Sequence, residues 1–282
     1  MAESWELSTH KDGQSVVCTG EHAGKTLSQY IRDCGRGVLG KRAEAFEYFP
    51  ILIKLIDAKD NLSVQVHPDD AYGLANEGEY GKTEMWYILD CEEGACLYYG
   101  LNQTISREEF RRRIENNTLL EVLNRVEVEK GDVFFIQSGT VHAIGKGIVI
   151  CEIQQNSNTT YRVYDYDRRD KDGNPRQLHI DRAVEVSNLC PPAVPVKKQG
   201  SCDREELASC KYFTVNRLTV AGERTVQADP ECFQSLIVVE GSGELSMNGE
   251  VLSLIKGDSV FVPAQMGEYL LKGEMNVILS YV

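Results

Sequence analysis

Basic residues are scarce relative to acidic ones: 30 Lys and Arg stand against 43 Asp and Glu, a formal net charge of −13 at pH 7. That imbalance argues against sequence-independent binding to nucleic acid or to an acidic membrane. An anionic small molecule would have to be met by a local basic pocket. Long apolar runs are also absent, and nothing approaches the roughly 20 residues of a membrane helix. The opening MAESWELSTHKDGQ is polar, so no secretory signal is expected. The nine cysteines are odd in number and lack paired spacing, which predicts reduced thiols and a cytoplasmic protein. Histidine is rare, with five residues, at 10, 22, 67, 142 and 179.

What is abundant is β pattern. FPILIKLID (49–57), LSVQV (62–66), MWYILD (85–90), VFFIQS (133–138), IVICEIQ (148–154) and TYRVYDY (160–166) are rich in β-branched and aromatic residues. So are YFTVNRLTV (212–220), SLIVVEG (235–241) and SVFVPA (259–264), and all are bounded by Gly, Asp or Asn. Such spacing predicts a mainly β chain of sandwiches or small barrels. Helices are few. SREEFRRRIENN carries a capping-box pattern at Ser106 and Glu109, with Phe110 and Ile114 on one face, and KTLSQYIRDCG ends at a glycine suited to a C-cap. Three of the eight prolines fall in 186–204, read as a linker between a first domain, 1–185, and a second, 205–282.

An internal echo crosses that linker. EKGDVFFIQSGTVHAIG begins at Glu129 and IKGDSVFVPAQMGEYLL at Ile255. Aligning Gly131 with Gly257 sets His142 opposite Glu268. EMWYILD aligned with QSLIVVE sets Glu84 opposite Gln234. The first copy has extra length between these segments, close to that of a helical insertion at about 104–126. One β unit therefore occurs twice, and only the first copy has the His and Glu.

His67, Glu84 and His142 are candidate metal ligands, with Gln65 as a fourth, since Gln65 and His67 share a strand face. Two imidazoles, a carboxylate and an amide suit one divalent ion with an open position: zinc by default, manganese or iron otherwise. GEHAGKT (20–26) imitates a phosphate loop but has three residues between its glycines where four are needed.

LSVQVHPDD, GKTEMWYILD, GDVFFIQSGTVHAIGKGIVICEIQQNSNTTYRVYDYDR and DGNPRQLHI together resemble the short bacterial form of the type I mannose-6-phosphate isomerases. The resemblance runs from ESWELS through the second β unit. The family also carries a Trp-Gly-Gly segment ahead of ESWELS, which this sequence does not show. The resemblance implies a bicupin: two small jelly-roll barrels, a helical insertion in the first, and one Zn2+ per chain in the first barrel only. It implies that His67, Glu84 and His142 are ligands and Gln65 a further one. Arg162 is then the active-site arginine and Lys82 a basic residue near the substrate. The implied reaction interconverts mannose 6-phosphate and fructose 6-phosphate through an enediol(ate).

Glu152, in CEIQQ, is the candidate proton-shuttling base, with a metal-bound hydroxide as its rival. Lys82, Arg162 and the run Arg168, Arg169, Lys171 could meet the phosphate. The implied partner is a small sugar phosphate, without nucleic acid or membrane, and the oligomeric state is left open. Two other readings share these motifs: a non-catalytic sugar-phosphate-binding bicupin, and an Fe(II) cupin oxygenase. The latter is less attractive because Gln65 stands where a His-x-His pair would begin.

Overall fold

The strands Glu84–Cys91 and Ile148–Gln155 are almost wholly buried, so they read as near-continuous apolar runs. They pair antiparallel, Glu84 opposite Gln154 and Trp86 opposite Glu152. In this computed structural model, which describes residues 2–193 and 202–282, they sit in a five-stranded sheet. Its order is Ala2–Leu7, Ile51–Ala58, Ile148–Gln155, Glu84–Cys91, Val133–Ile136. A second five-stranded sheet runs Tyr161–Tyr164, Val64–Val66, His142–Ala143, Cys96–Leu101, Leu123–Glu127. Trp86, Ile88, Phe134 and Ile150 from the first sheet and Leu97 and Tyr99 from the second share one core cluster. The two inner faces therefore supply the packing, as in a sandwich.

After Cys96–Leu101 the chain forms the helix Arg107–Glu115, which buries Phe110 and Ile114. Ser106 caps it, its hydroxyl accepting from the Glu109 amide at 3.1 Å. The carboxylate of Glu109 turns to Arg113 at 2.7 Å instead of returning to the cap, so only half of the expected capping box is made. A complete box occurs at Thr26 and Gln29, opening Leu27–Cys34.

The remaining large sheet has the order Arg204–Ser209, Thr214–Ala228, Gly267–Tyr281, Gln234–Met247, Glu250–Ile255, with Ser259–Val262 also pairing Gln234–Met247. Its long strands outrun the expected 212–220 and 235–241. Gly222 and Gly243 both stand opposite Gly273. Gly273 has φ +140°, and a Cβ there would lie 2.6 Å from the Gly243 Cα. The strands carrying Gly243 and Gly273 can lie this close only without a side chain at Gly273.

The chain divides into two compact units, Met1–Ser4 with Lys54–Lys197, and Trp5–Ile53 with Lys198–Val282. A first domain of 1–185 would have included Trp5–Ile53. Those residues instead pack within the second unit: Phe49 lies 5.1 Å from Phe233 between ring centroids, and the Arg42 amide donates to Glu231 O at 2.9 Å. The core of the expected linker 186–204 lies at 194–201, outside the described residues. At its flanks, Val186 ends the helix Ile180–Val186 and Arg204 opens a strand. Among the described residues, no helix is long and apolar enough to cross a membrane.

The sequence echo reappears as a backbone register. Glu84 pairs with Ile136, and Gln234 pairs with Val262. Gly131 N donates to Ile88 O, and Gly257 N donates to Val238 O, both at 2.8 Å. These are equivalent positions in the aligned copies.

Candidate active site

Strand ends and cross-strand rows bring the polar residues together. Arg162, Gln65, His142 and Tyr99 are successive partners across four strands, and directly opposed residues project to one sheet face. His67 follows the strand Val64–Val66, while Glu84 opens its own strand in the facing sheet. The ligand atoms of His67, Glu84 and His142 lie within 4.8 Å of one another, and the three residues are 0–1% exposed.

The imidazoles are oriented. His67 Nδ1 lies 2.8 Å from Thr159 O and His142 Nδ1 2.8 Å from Thr140 O. A carbonyl only accepts, so each Nδ1 carries the proton and each Nε2 presents a lone pair. Burial keeps both rings neutral: it pushes the His67 pKa well below the usual value and that of His142 down to about 4. His142 Nε2 faces Glu84 Oε1 at 3.3 Å, and Glu84 Oε1 has no hydrogen-bond donor. Burial, reinforced by the charge of Glu152, raises the Glu84 carboxyl to about 7.

Lone pairs of two imidazoles thus converge on the Glu84 carboxyl. That donor set fits a divalent cation. Gln65 Nε2 lies 3.4 Å from His142 Nε2. To act as a ligand, its amide must turn its oxygen inward, a rotation the amide plane permits.

Lys82 is buried beside this cluster. Its Nζ lies 2.7 Å from Glu84 Oε2, 3.2 Å from His67 Nε2 and 3.7 Å from Glu152 Oε1. Burial alone would lower its pKa, but Glu152 and Glu84 more than reverse that, and the net shift is upward. Glu152 is 3% exposed and accepts from Trp86 Nε1 at 2.9 Å. Burial opposes its charge, yet Lys82 and Lys54 together hold the carboxyl below its ordinary value.

Arg162 is partly buried on Tyr161–Tyr164, with Tyr161 and Val163 buried on the opposite face. One guanidinium nitrogen donates to Gln177 O at 3.1 Å, and its Nε has no hydrogen-bond partner. The basic run divides among local partners. Arg168 pairs with Asp165 and donates to Asn61 O at 2.8 Å, and Arg169 donates to Gly173 O at 2.8 Å.

Lys54 is the site residue that sequence reasoning missed. It is 5% exposed on Ile51–Ala58, and burial lowers its pKa against the pull of Glu152. A signal was there: a lysine in the middle of ILIKLI can face a core only beside an anion.

Two family models match the chain: the phosphomannose isomerase type I catalytic domain over residues 1–97, and the mannose-6-phosphate isomerase cupin domain over 203–282. The mannose-6-phosphate isomerase ManA of Bacillus subtilis is 40% identical over 99% of this chain and 89% of its own length. The mannose-6-phosphate isomerase of Streptococcus mutans is 39% identical over 99% of this chain and 88% of its own. The crystal structure of the mannose 6-phosphate isomerase from Bacillus subtilis superposes with a TM-score of 0.87 at 38% identity, covering 99% of this chain and 89% of that one.

Proposed function

The chain belongs to the type I phosphomannose isomerases, and on that premise we propose how its residues carry an aldose–ketose isomerisation of mannose 6-phosphate and fructose 6-phosphate. The observation that carries the reading is the buried convergence of His67, Glu84 and His142 next to a charged, oriented Glu152. His67, Glu84 and His142 hold one Zn2+, with Gln65 as the fourth and weakest donor. The ion, when bound, polarises the substrate carbonyl and offsets the negative charge of the enediolate.

Glu152 takes the proton from C2 of the aldose and returns it at C1, while the hydroxyl proton of O2 passes to O1, so that the C1 carbonyl becomes an alcohol and the C2 alcohol a carbonyl. Trp86 fixes its carboxylate, and Lys54 and Lys82 keep it ionised, so that it can serve as a base. Arg162 lies in one cross-strand row with Gln65 and His142, which supports a guanidinium aimed at the developing oxyanion. Lys82 donates to a substrate oxygen from beside Glu84. The burial of these groups excludes water and strengthens each charge.

The matched registers of the two copies support two cupin-type barrels, with the helical segment 104–126 inserted in the first and the metal donors confined to it. Nine unpaired thiols support a reducing, cytoplasmic setting. A coupled assay for fructose 6-phosphate formed from mannose 6-phosphate tests the function. Activity should vanish on chelation and return with Zn2+. A protein that binds the sugar phosphate but never turns it over would sink the proposal.

A further inference from the structure

The second unit lacks the metal donors at the positions that match Glu84 and His142. Gln227 stands opposite Glu268 as Gln65 stands opposite His142. Gln234 pairs with Val262 as Glu84 pairs with Ile136. At this equivalent place lies a cavity of about 360 Å3, lined among others by Arg42, Arg204, Arg224, Gln227, Asp229 and Gln234. Gln234, one of the lining residues, is held in neutral hydrogen bonds. Tyr269 Oη donates to Gln234 Oε1 at 2.7 Å, and Gln234 Nε2 donates to Gln227 O at 2.8 Å.

Arg204 and Arg224 are held only by neutral oxygens. Arg204 donates to Asn216 Oδ1 at 3.1 Å and to Tyr281 Oη at 3.2 Å. Arg224 donates to Asp203 O at 2.9 Å, and Arg42 reaches Val282 O at 3.5 Å. Among the described residues, none of the three guanidiniums pairs with an Asp or Glu side chain. In a chain of net charge −13, three guanidiniums stand around one cavity against two carboxylates, Asp229 and Glu231, in its lining.

We propose that this cavity of the second unit binds a small phosphorylated sugar or polyol, with Arg204, Arg224 and Arg42 on the phosphate. Guanidinium forks match phosphate oxygens in charge and geometry. Gln227 and Asp229 at the wall supply acceptors for hydroxyl groups. The volume lies in the range of small-molecule sites. This site is separate from the His67–Glu84–His142 centre and does not depend on its chemistry.

The probe is glucitol 6-phosphate, which has no carbonyl to isomerise. It is titrated calorimetrically into the full chain carrying His67→Ala and His142→Ala, which dismantles the first site. One equivalent should bind, and adding Arg204→Gln with Arg224→Gln should weaken it at least tenfold. Arg224→Gln alone, which breaks one bond to a backbone carbonyl, should weaken it in the same direction with an unchanged melting curve. Unphosphorylated glucitol should not bind, and inorganic phosphate should compete at least tenfold less well. No binding, binding indifferent to the arginines, or equal competition by inorganic phosphate would overturn the assignment. Turnover of mannose 6-phosphate by the unmutated protein is read separately, so failure of one proposal does not imply failure of the other.

Discussion

His142 shows how a single side chain sets up the chemistry. Its Nδ1 is committed to Thr140 O and burial keeps it neutral, so Nε2 is left as a lone pair facing Glu84. The pH dependence of metal binding follows. Without the ion, Glu84 holds a proton up to about pH 7, whereas His142 stays neutral down to about 4. Binding the ion must therefore displace one proton over that window. Apparent affinity should fall about tenfold per pH unit below 7, and more steeply only near 4. Competition with a chromophoric chelator between pH 5 and 8 reads the slope. Ordinary histidine values would give up to three protons below pH 6, and an ordinary Glu84 would give none. Arg162 is tested kinetically: Arg162→Ala should lower kcat by about 10²-fold or more, the loss expected of one oxyanion donor, with metal content unchanged. A loss confined to KM would assign it to phosphate binding instead.

At the scale of elements, the apolar strands were the legible part. MWYILD and IVICEIQ became Glu84–Cys91 and Ile148–Gln155 with boundaries shifted by one residue. The helices Asp70–Asn76 and Ile180–Val186 were not read. They are one or two turns long, too short to show a helical period, and they are fixed by tertiary contacts. The strand Gly267–Tyr281 was not read either, because GEYLLKGEMNVILSY has glycines and charges where a short-strand pattern breaks. Of those glycines, Gly273 is the one that lets the strand lie close against Ser242 and Gly243. Gly273→Ala should therefore destabilise by roughly 1–3 kcal/mol, the scale of a strained backbone position, read as a lower denaturant midpoint. Gly37→Ala, where an added Cβ meets nothing within 4 Å, is the control and should stay near wild type.

For the whole molecule, the informative pattern is an echo between two segments whose strand registers match and whose donor positions differ. The match of EMWYILD with QSLIVVE carried enough to pair Glu84 with Gln234, and the strand registers agree with it. The sequence could not show that Trp5–Ile53 joins the second unit, since that grouping depends on long-range packing such as Phe49 on Phe233. Nor could it show that Lys54 and Lys82 flank Glu152, which needs three strands in register. The divergence predicts about one divalent ion per chain, because among the described residues His67, Glu84 and His142 form the one group placed to share an ion, whereas Gln234 offers a neutral amide and Glu268 is exposed. Elemental analysis should find one ion in the wild type and none after His67→Ala with His142→Ala. An ion bound to the folded state stabilises it by about 2.7 kcal/mol at a hundredfold excess over Kd. Chelation should therefore lower the melting temperature of the wild type and leave that of the double variant unchanged. Two ions per chain, or an equal chelator effect on both proteins, would show that the second copy kept a site of its own.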